Sequence, residues 1–179
     1  MIELCDKQNQ VIVNYVSEFQ NSGYGIQKIK RVFLNIKNKI NYDPDLETQN
    51  ASETLVMGYG NNLDKNVLLY TILESMCFKC RLIRLMVRSD CPAFKRNQRE
   101  FPWYFISVEF LDTVVNLDCS FDKFYMMAFN IISKNNNIDY GPEDYFVEDR
   151  RLFRVIKRDI IIDCEENYVN GKLAMANGF

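Results

Sequence analysis

The chain contains no histidine among its 179 residues. That excludes an imidazole general base, an imidazole metal ligand and a histidine pH switch. Serine–histidine and cysteine–histidine catalysis are therefore closed to this chain acting alone. It also lacks an excess of charge of either sign. The 22 basic and 24 acidic side chains leave a net charge of -2, which argues against a strongly basic nucleic-acid binder on bulk electrostatics. No stretch approaches the roughly 20 apolar residues of a membrane helix. The most apolar run, Val67 to Leu73, is broken by Tyr70 and Thr71 and suits a buried helix. The N-terminus, Met1 to Lys7, has neither a basic n-region nor an apolar h-region, so no signal peptide and a cytoplasmic location are expected. The six cysteines, at 5, 77, 80, 91, 119 and 164, are then expected to be reduced. What remains is ordinary for a globular domain: 47% hydrophobic and 26% charged residues, with no internal repeat and no low-complexity linker.

Periodicity divides the chain into helices first and strands later. Residues 2–20 read as a helix with Val11, Val13, Val16 and Phe19 on its apolar face. After a break at residues 21–25, Ile26, Ile29, Val32, Phe33, Ile36 and Ile40 recur at spacings of three and four with Lys and Arg between them. Pro44 ends that helix. Residues 51–57 suit a short helix, and Gly58-Tyr59-Gly60 a hinge-like loop. A second strong helix starts at Asn61 or Asn62 and runs to about Met76, apolar on most sides. The pattern then turns to period two over 81–88, 103–110 and 113–117, the last two forming an antiparallel hairpin. A late strand is expected over 151–162. Helices followed by strands imply an α+β layout.

Two stretches carry a family pattern. The first runs from "INYD" at residues 40–43 through "ASETLVMGYGNNLDKNVLLYTILESMCFKCRLIRL" at 51–85. The second is "FPWYFISVEFLDTVVNLDCSFD" at 101–122. Together they resemble the transglutaminase-like superfamily. In that family, a glycine-bearing turn leads into a buried helix, then a small-residue motif enters a strand, and a later hairpin ends in an acid. The resemblance implies a papain-like core over about residues 20–125, with a C-terminal extension over about 126–179 of a single domain, 1–179. It places the family's nucleophilic cysteine on Asn62, its histidine near Trp103 and its acid on Asp118. An Asn amide is neither a nucleophile nor a base at neutral pH, so the resemblance implies a degenerate member, and its remnant groove near Tyr59, Gly60, Asn61, Asn62, Trp103 and Asp118 becomes the expected binding site.

Each of these residues also has a plain structural role. Asn62 suits a helix N-cap. Asp118 suits a turn cap or a pair with an arginine such as Arg81, since a lone buried carboxylate is costly. Trp103 serves as core filling or as a stacking platform. Cys77-Phe78-Lys79-Cys80 is a single CxxC. With no histidine to help, only Cys91 and Cys119 could complete a zinc site, so buried small side chains are expected and neither metal nor cofactor. Three functions follow in order. The first is a protein- or peptide-binding module. The second is a cysteine-dependent acyl-transfer or protease-type enzyme using Cys119 or a histidine from a partner. The third, against which the net charge argues, is a nucleic-acid module using the late basic residues Arg150, Arg151, Arg154, Lys157 and Arg158. No membrane partner is expected.

Overall fold

The structure is a computed structural model, and it describes residues 1–21, 23–90, 100–129 and 154–163. A short 3-10 turn at Ile2–Leu4 precedes helix α1, Gln10–Glu18. The helix begins at its Asn9 cap and not at residue 2. Its buried face is Ile12, Tyr15 and the following Phe19, while Val13 is exposed and Val11 and Val16 are half-buried. The expected valine face is thus only a flank. The larger side chains, at spacings of three and four, take the core side because they remove more apolar surface from water. Helix α2, Gly25–Lys39, buries Ile29, Val32, Phe33 and Ile36, the stripe that its spacing predicts.

Strand β1, Asn41–Tyr42, helix α3, Ala51–Met57, and strand β2, Tyr59–Gly60, come next. The expected hinge at 58–60 is in fact tied down: β2 pairs in parallel with β1, Asn41 opposite Tyr59 and Tyr42 opposite Gly60. The two glycines have different reasons. Gly58 ends α3 with φ +72°, a left-handed conformation that glycine adopts without penalty. Gly60 sits so close beneath the next helix that a Cβ there would lie 3.1 Å from Asp64 Cβ and 3.2 Å from Lys65 Cγ.

Helix α4, Asn62–Ser75, is buried from Asp64 to Leu73. It packs against a four-stranded antiparallel sheet made of β3 (Lys79–Arg88), β4 (Glu100–Phe110), β5 (Thr113–Leu117) and β6 (Arg154–Asp163), in the order β5-β4-β3-β6. A short helix α5, Lys123–Ala128, follows β5, where sequence shows only an apolar, aromatic run. Strand β6 joins β3 with two register shifts, so part of the C-terminal extension completes the sheet. The expected start of that strand at residue 151 lies outside the described residues, as do Cys91, Cys164, Arg150 and Arg151. No helix among the described residues is long and apolar enough to cross a membrane.

The core has two parts. The larger joins α1, α2 and α4 to one face of the sheet, through side chains such as Phe33, Leu68, Leu82 and Ile106. The smaller lies under β1 and α5 and is mostly aromatic: Tyr42, Trp103, Phe105 and Phe121, with Phe101 and Tyr125 against it. Buried aromatics of this size dominate local packing energy.

Candidate functional site

The N-terminus of α4 is where the expected site residues meet. Asn61, not Asn62, is the N-cap. Its side chain accepts from Asp64 N at 3.0 Å, and Asp64 Oδ2 accepts from Asn61 N at 3.0 Å, a reciprocal capping box. Asn62 is released from the capping role expected of it and turns inward toward the sheet. The reason lies one strand away. Strand β5 covers only Ile106 to Phe110 of β4, so among the described residues the Glu100–Phe105 half of β4 has no strand on that side. The Asn62 amide fills the gap. Its Oδ1 accepts from Tyr104 N at 2.6 Å and its Nδ2 donates to Tyr104 O at 2.8 Å. A primary amide presents both an acceptor and two donor hydrogens, so this side chain imitates a neighbouring strand.

The second Nδ2 hydrogen of Asn62 goes to Ser120 Oγ at 2.6 Å. Ser120 in turn donates through its hydroxyl to Asp118 Oδ1, which also accepts from Ser120 N at 3.0 Å. Asp118 Oδ2 accepts from the indole Nε1 of Trp103 at 2.8 Å. The three positions that the resemblance aligns with a catalytic triad are therefore joined in one buried chain: Asn62, Ser120, Asp118, Trp103. Asp118 caps its turn, as expected for one of its two roles. It does not pair with Arg81, whose guanidinium is held instead by Glu109 at 2.8 Å and Asp163 at 3.1 Å. Trp103 is core filling, 2% exposed, and ring contacts to Phe101, Phe121 and Tyr42 hold it in place.

Sequence reasoning missed Asn66 and Lys65. Asn66, one turn along α4, reaches Tyr104 O and Ser120 Oγ, both at 3.0 Å. Its signal was weak: Asn66 ends the polar run Asp64-Lys65-Asn66 at the start of α4, which locally reads as a solvated first turn. Lys65 is fully buried and donates to Ile40 O at 2.5 Å, capping the C-terminus of α2. Desolvation pulls its ammonium down to about 8, with Lys37 adding to the fall and the nearby Asp122 and Asp118 partly restoring it. No spacing in the sequence announces that contact.

Cys119 has none of the features of a displaced nucleophile. It is 0% exposed, its Sγ donates to Lys65 O at 3.2 Å, and burial pushes the thiol up to about 12. A reactive thiol needs the opposite shift and access to solvent. Cys80 is buried on β3 and Cys77 is exposed at the end of α4. Among the described residues no group of three or more cysteine or acidic side chains is arranged to hold a metal ion. The late basic residues do not form a uniform stripe. Lys157 pairs with Asp159 at 2.8 Å, Asp159 also holds Arg84 at 3.0 Å, and Arg158 lies over the Phe105 ring.

Beside the buried chain lies a cleft of about 300 Å³. Tyr42, Pro44 and Thr48 form one side, and the first turn of α4 from Asn61 to Leu63 forms the second. Residues Phe101 to Tyr104 of β4 close it. Of the expected binding residues, Asn61, Asn62 and Trp103 line this cleft. Asp118 sits behind Trp103, and Tyr59 and Gly60 belong to the β1–β2 pair and do not line it.

No family model matches the chain, and no curated protein matches it. Solved structures do. A chain described as a "putative cysteine protease" from Cytophaga hutchinsonii superposes with a TM-score of 0.53 at 10% identity, over 88% of this chain and 50% of that one. A "putative protease" from Parabacteroides distasonis gives 0.50 at 14% identity, over 64% of this chain and 24% of that one. The chain thus spans half or less of the length of these neighbours. At such identities the likeness defines the fold: α+β with a papain-like core, a buried helix packed on an antiparallel sheet.

Proposed function

We propose that the chain is a catalytically degenerate transglutaminase-like domain that binds a protein or peptide through the cleft beside α4. One arrangement supports this above all. At the positions where a cysteine–histidine site of this kind would carry nucleophile and base, the chain has an Asn amide spent on the Tyr104 backbone and an indole N–H spent on Asp118. The indole keeps the hydrogen bond by which a triad acid orients its base, but it has no lone pair with which to accept a proton. With no histidine in the chain and Cys119 buried and protonated, proton transfer and thiolate attack both lack a carrier. The cleft itself persists, with apolar walls and a few fixed polar groups, the usual character of a recognition site.

The test compares wild type with Leu63→Arg, a half-buried residue of the cleft wall outside the hydrogen-bonded chain. Affinity capture should retain a partner with wild type and lose it with the variant, while circular dichroism stays unchanged. Iodoacetamide should modify Cys119 more slowly than exposed Cys77. Rapid alkylation of Cys119 in the folded protein, together with turnover of an acyl or peptide substrate, would restore the enzyme reading.

A further inference from the structure

Resting on that binding reading, we propose a ligand class for the cleft: an extended segment that inserts an uncharged apolar residue, leucine or proline, and carries lysine or arginine on its flank. The ten side chains lining the cleft include no acid, lysine or arginine. A buried charge on the ligand would find no counter-charge there, and an unpaired charge is costly to desolvate. Aromatic and proline surfaces, from Phe101, Pro102, Trp103 and Pro44, suit an apolar side chain instead.

An anion at the α4 N-terminus is disfavoured for a second reason. The positive end of a helix attracts anions, but here the Asp64 carboxylate already sits in the first turn and holds Asn61 N. Recognition by strand addition is closed as well. That mode needs free backbone groups on a sheet edge. On the edge of β4 beside the cleft, Tyr104 has both its N–H and C=O bonded to Asn62, and Pro102 has no N–H to give. Specificity must then come from an inserted side chain and from what flanks it.

The flank is set by the loop between β1 and α3. Residues 43–48 carry Asp43, Asp45 and Glu47 and no basic residue, while Pro44 and Thr48 of the same loop line the cleft. The loop is held in place: Asp43 N donates to Gly60 O at 3.1 Å and Asp45 N to Asp43 Oδ1 at 3.0 Å. On the opposite side, Glu100, next to Phe101, pairs with Arg88. One rim is therefore acidic and the floor neutral, which matches a basic flank around an apolar insert.

Trp103 is the only tryptophan of the chain and lies in the cleft floor, so its emission reports occupancy directly. Three capped peptides with the same Leu-Pro core, flanked by lysines, serines or glutamates, would be titrated at low and high salt. The lysine-flanked peptide should bind about tenfold tighter than the glutamate-flanked one, a factor equal to about 1.4 kcal/mol, and the gap should shrink as salt screens it. The combined variant Asp43→Asn, Asp45→Asn, Glu47→Gln should remove the gap and leave the serine-flanked peptide unaffected. Tighter binding of the glutamate-flanked peptide, or a gap that survives the triple variant, overturns the proposal. Equal saturable binding of all three peptides, abolished by Leu63→Arg, overturns the charge preference and leaves the binding module standing. No Trp103 response to any peptide overturns the ligand class, and the capture experiment then decides the broader reading by itself.

Discussion

The two ends of α4 terminate the same helix by opposite means. At the N-terminus, side chains make the bonds: Asn61 and Asp64 cap each other, and Asn62 and Asn66 reach across to Tyr104, Ser120 and the loop after β5. At the C-terminus, the backbone makes them. Phe78 N donates to Leu73 O at 3.0 Å and Cys77 N to Glu74 O at 2.9 Å, the paired bonds of a Schellman motif. Cys77 occupies its left-handed position with φ +64°, where glycine is the usual residue. The lesson is one of tolerance. A backbone cap accepts a poor residue at a modest cost. A side-chain network loses several partners when one member changes.

The largest effect should therefore fall at the N-terminus. Replacing Asn62 with Leu strands the N–H of Tyr104 and leaves the Tyr104 C=O and the Ser120 hydroxyl with the Asn66 amide alone, all in buried surroundings. Each buried group left unpaired costs about 1–3 kcal/mol. Urea unfolding should show a loss of about 1–3 kcal/mol. A loss below about 0.5 kcal/mol would mean that water replaces the amide freely.

A smaller effect belongs to Lys65, and its sign depends on pH. The folded protein holds this ammonium near 8, below its ordinary 10.5. Above about pH 8 the unfolded chain binds more protons than the folded one, so stability rises with pH. Lys37, also lowered by burial, adds to the rise. From about pH 9 the buried thiols Cys119 and Cys5 act the other way, because they stay protonated in the folded state while the unfolded chain ionises. Stability should climb by about 1 kcal/mol between about pH 8 and 9 and then level off, since a tenfold change in proton affinity corresponds to about 1.36 kcal/mol. Lys65→Met should flatten the climb, and Cys119→Ala should extend it. Denaturant midpoints at half-unit steps of pH measure both.

At the C-terminus the expected change is a gain. Cys77→Gly removes the left-handed strain of a residue with a Cβ, and should stabilise the protein by about 0.5–1 kcal/mol. A loss would show that the cysteine side chain contributes packing that outweighs its backbone. Away from both ends, Arg88→Ala breaks an exposed pair with Glu100. Solvent and salt screen such a pair, so the thermal midpoint should stay within the scatter of repeated scans.

Much of this was readable from sequence. The stripe of α2, the length of α4, the hairpin of β4 and β5 and the late strand β6 all follow from local periodicity, because a single buried face imposes 3.6 or 2 on its own residues. Local patterns marked the break at Gly58-Tyr59-Gly60 but read it as a hinge, because its pairing with β1 and the close approach of Gly60 to α4 involve distant residues. They failed where partners are distant. Asn62 reads locally as a cap, and only the short reach of β5 gives its amide the Tyr104 backbone to bond. Asp118 reads as a turn cap or as a partner for Arg81, and only the packed sheet, which gives Arg81 to Glu109 and Asp163, separates the two. Lys65 belongs to the polar opening turns of α4, and its place under the end of α2 depends on how two helices cross.

The sequence by itself determined that this chain supplies no imidazole and that the layout is α+β, and it raised the expectation of a remnant site around Asn62, Trp103 and Asp118. Those are properties of composition and of near neighbours along the chain. The tertiary structure decided that those positions form one buried hydrogen-bonded chain, that Cys119 is protonated and inaccessible, and that a neutral cleft opens beside an acidic loop. Each of these depends on desolvation and on contacts between residues dozens of positions apart, and none is set until the helix and the sheet have packed.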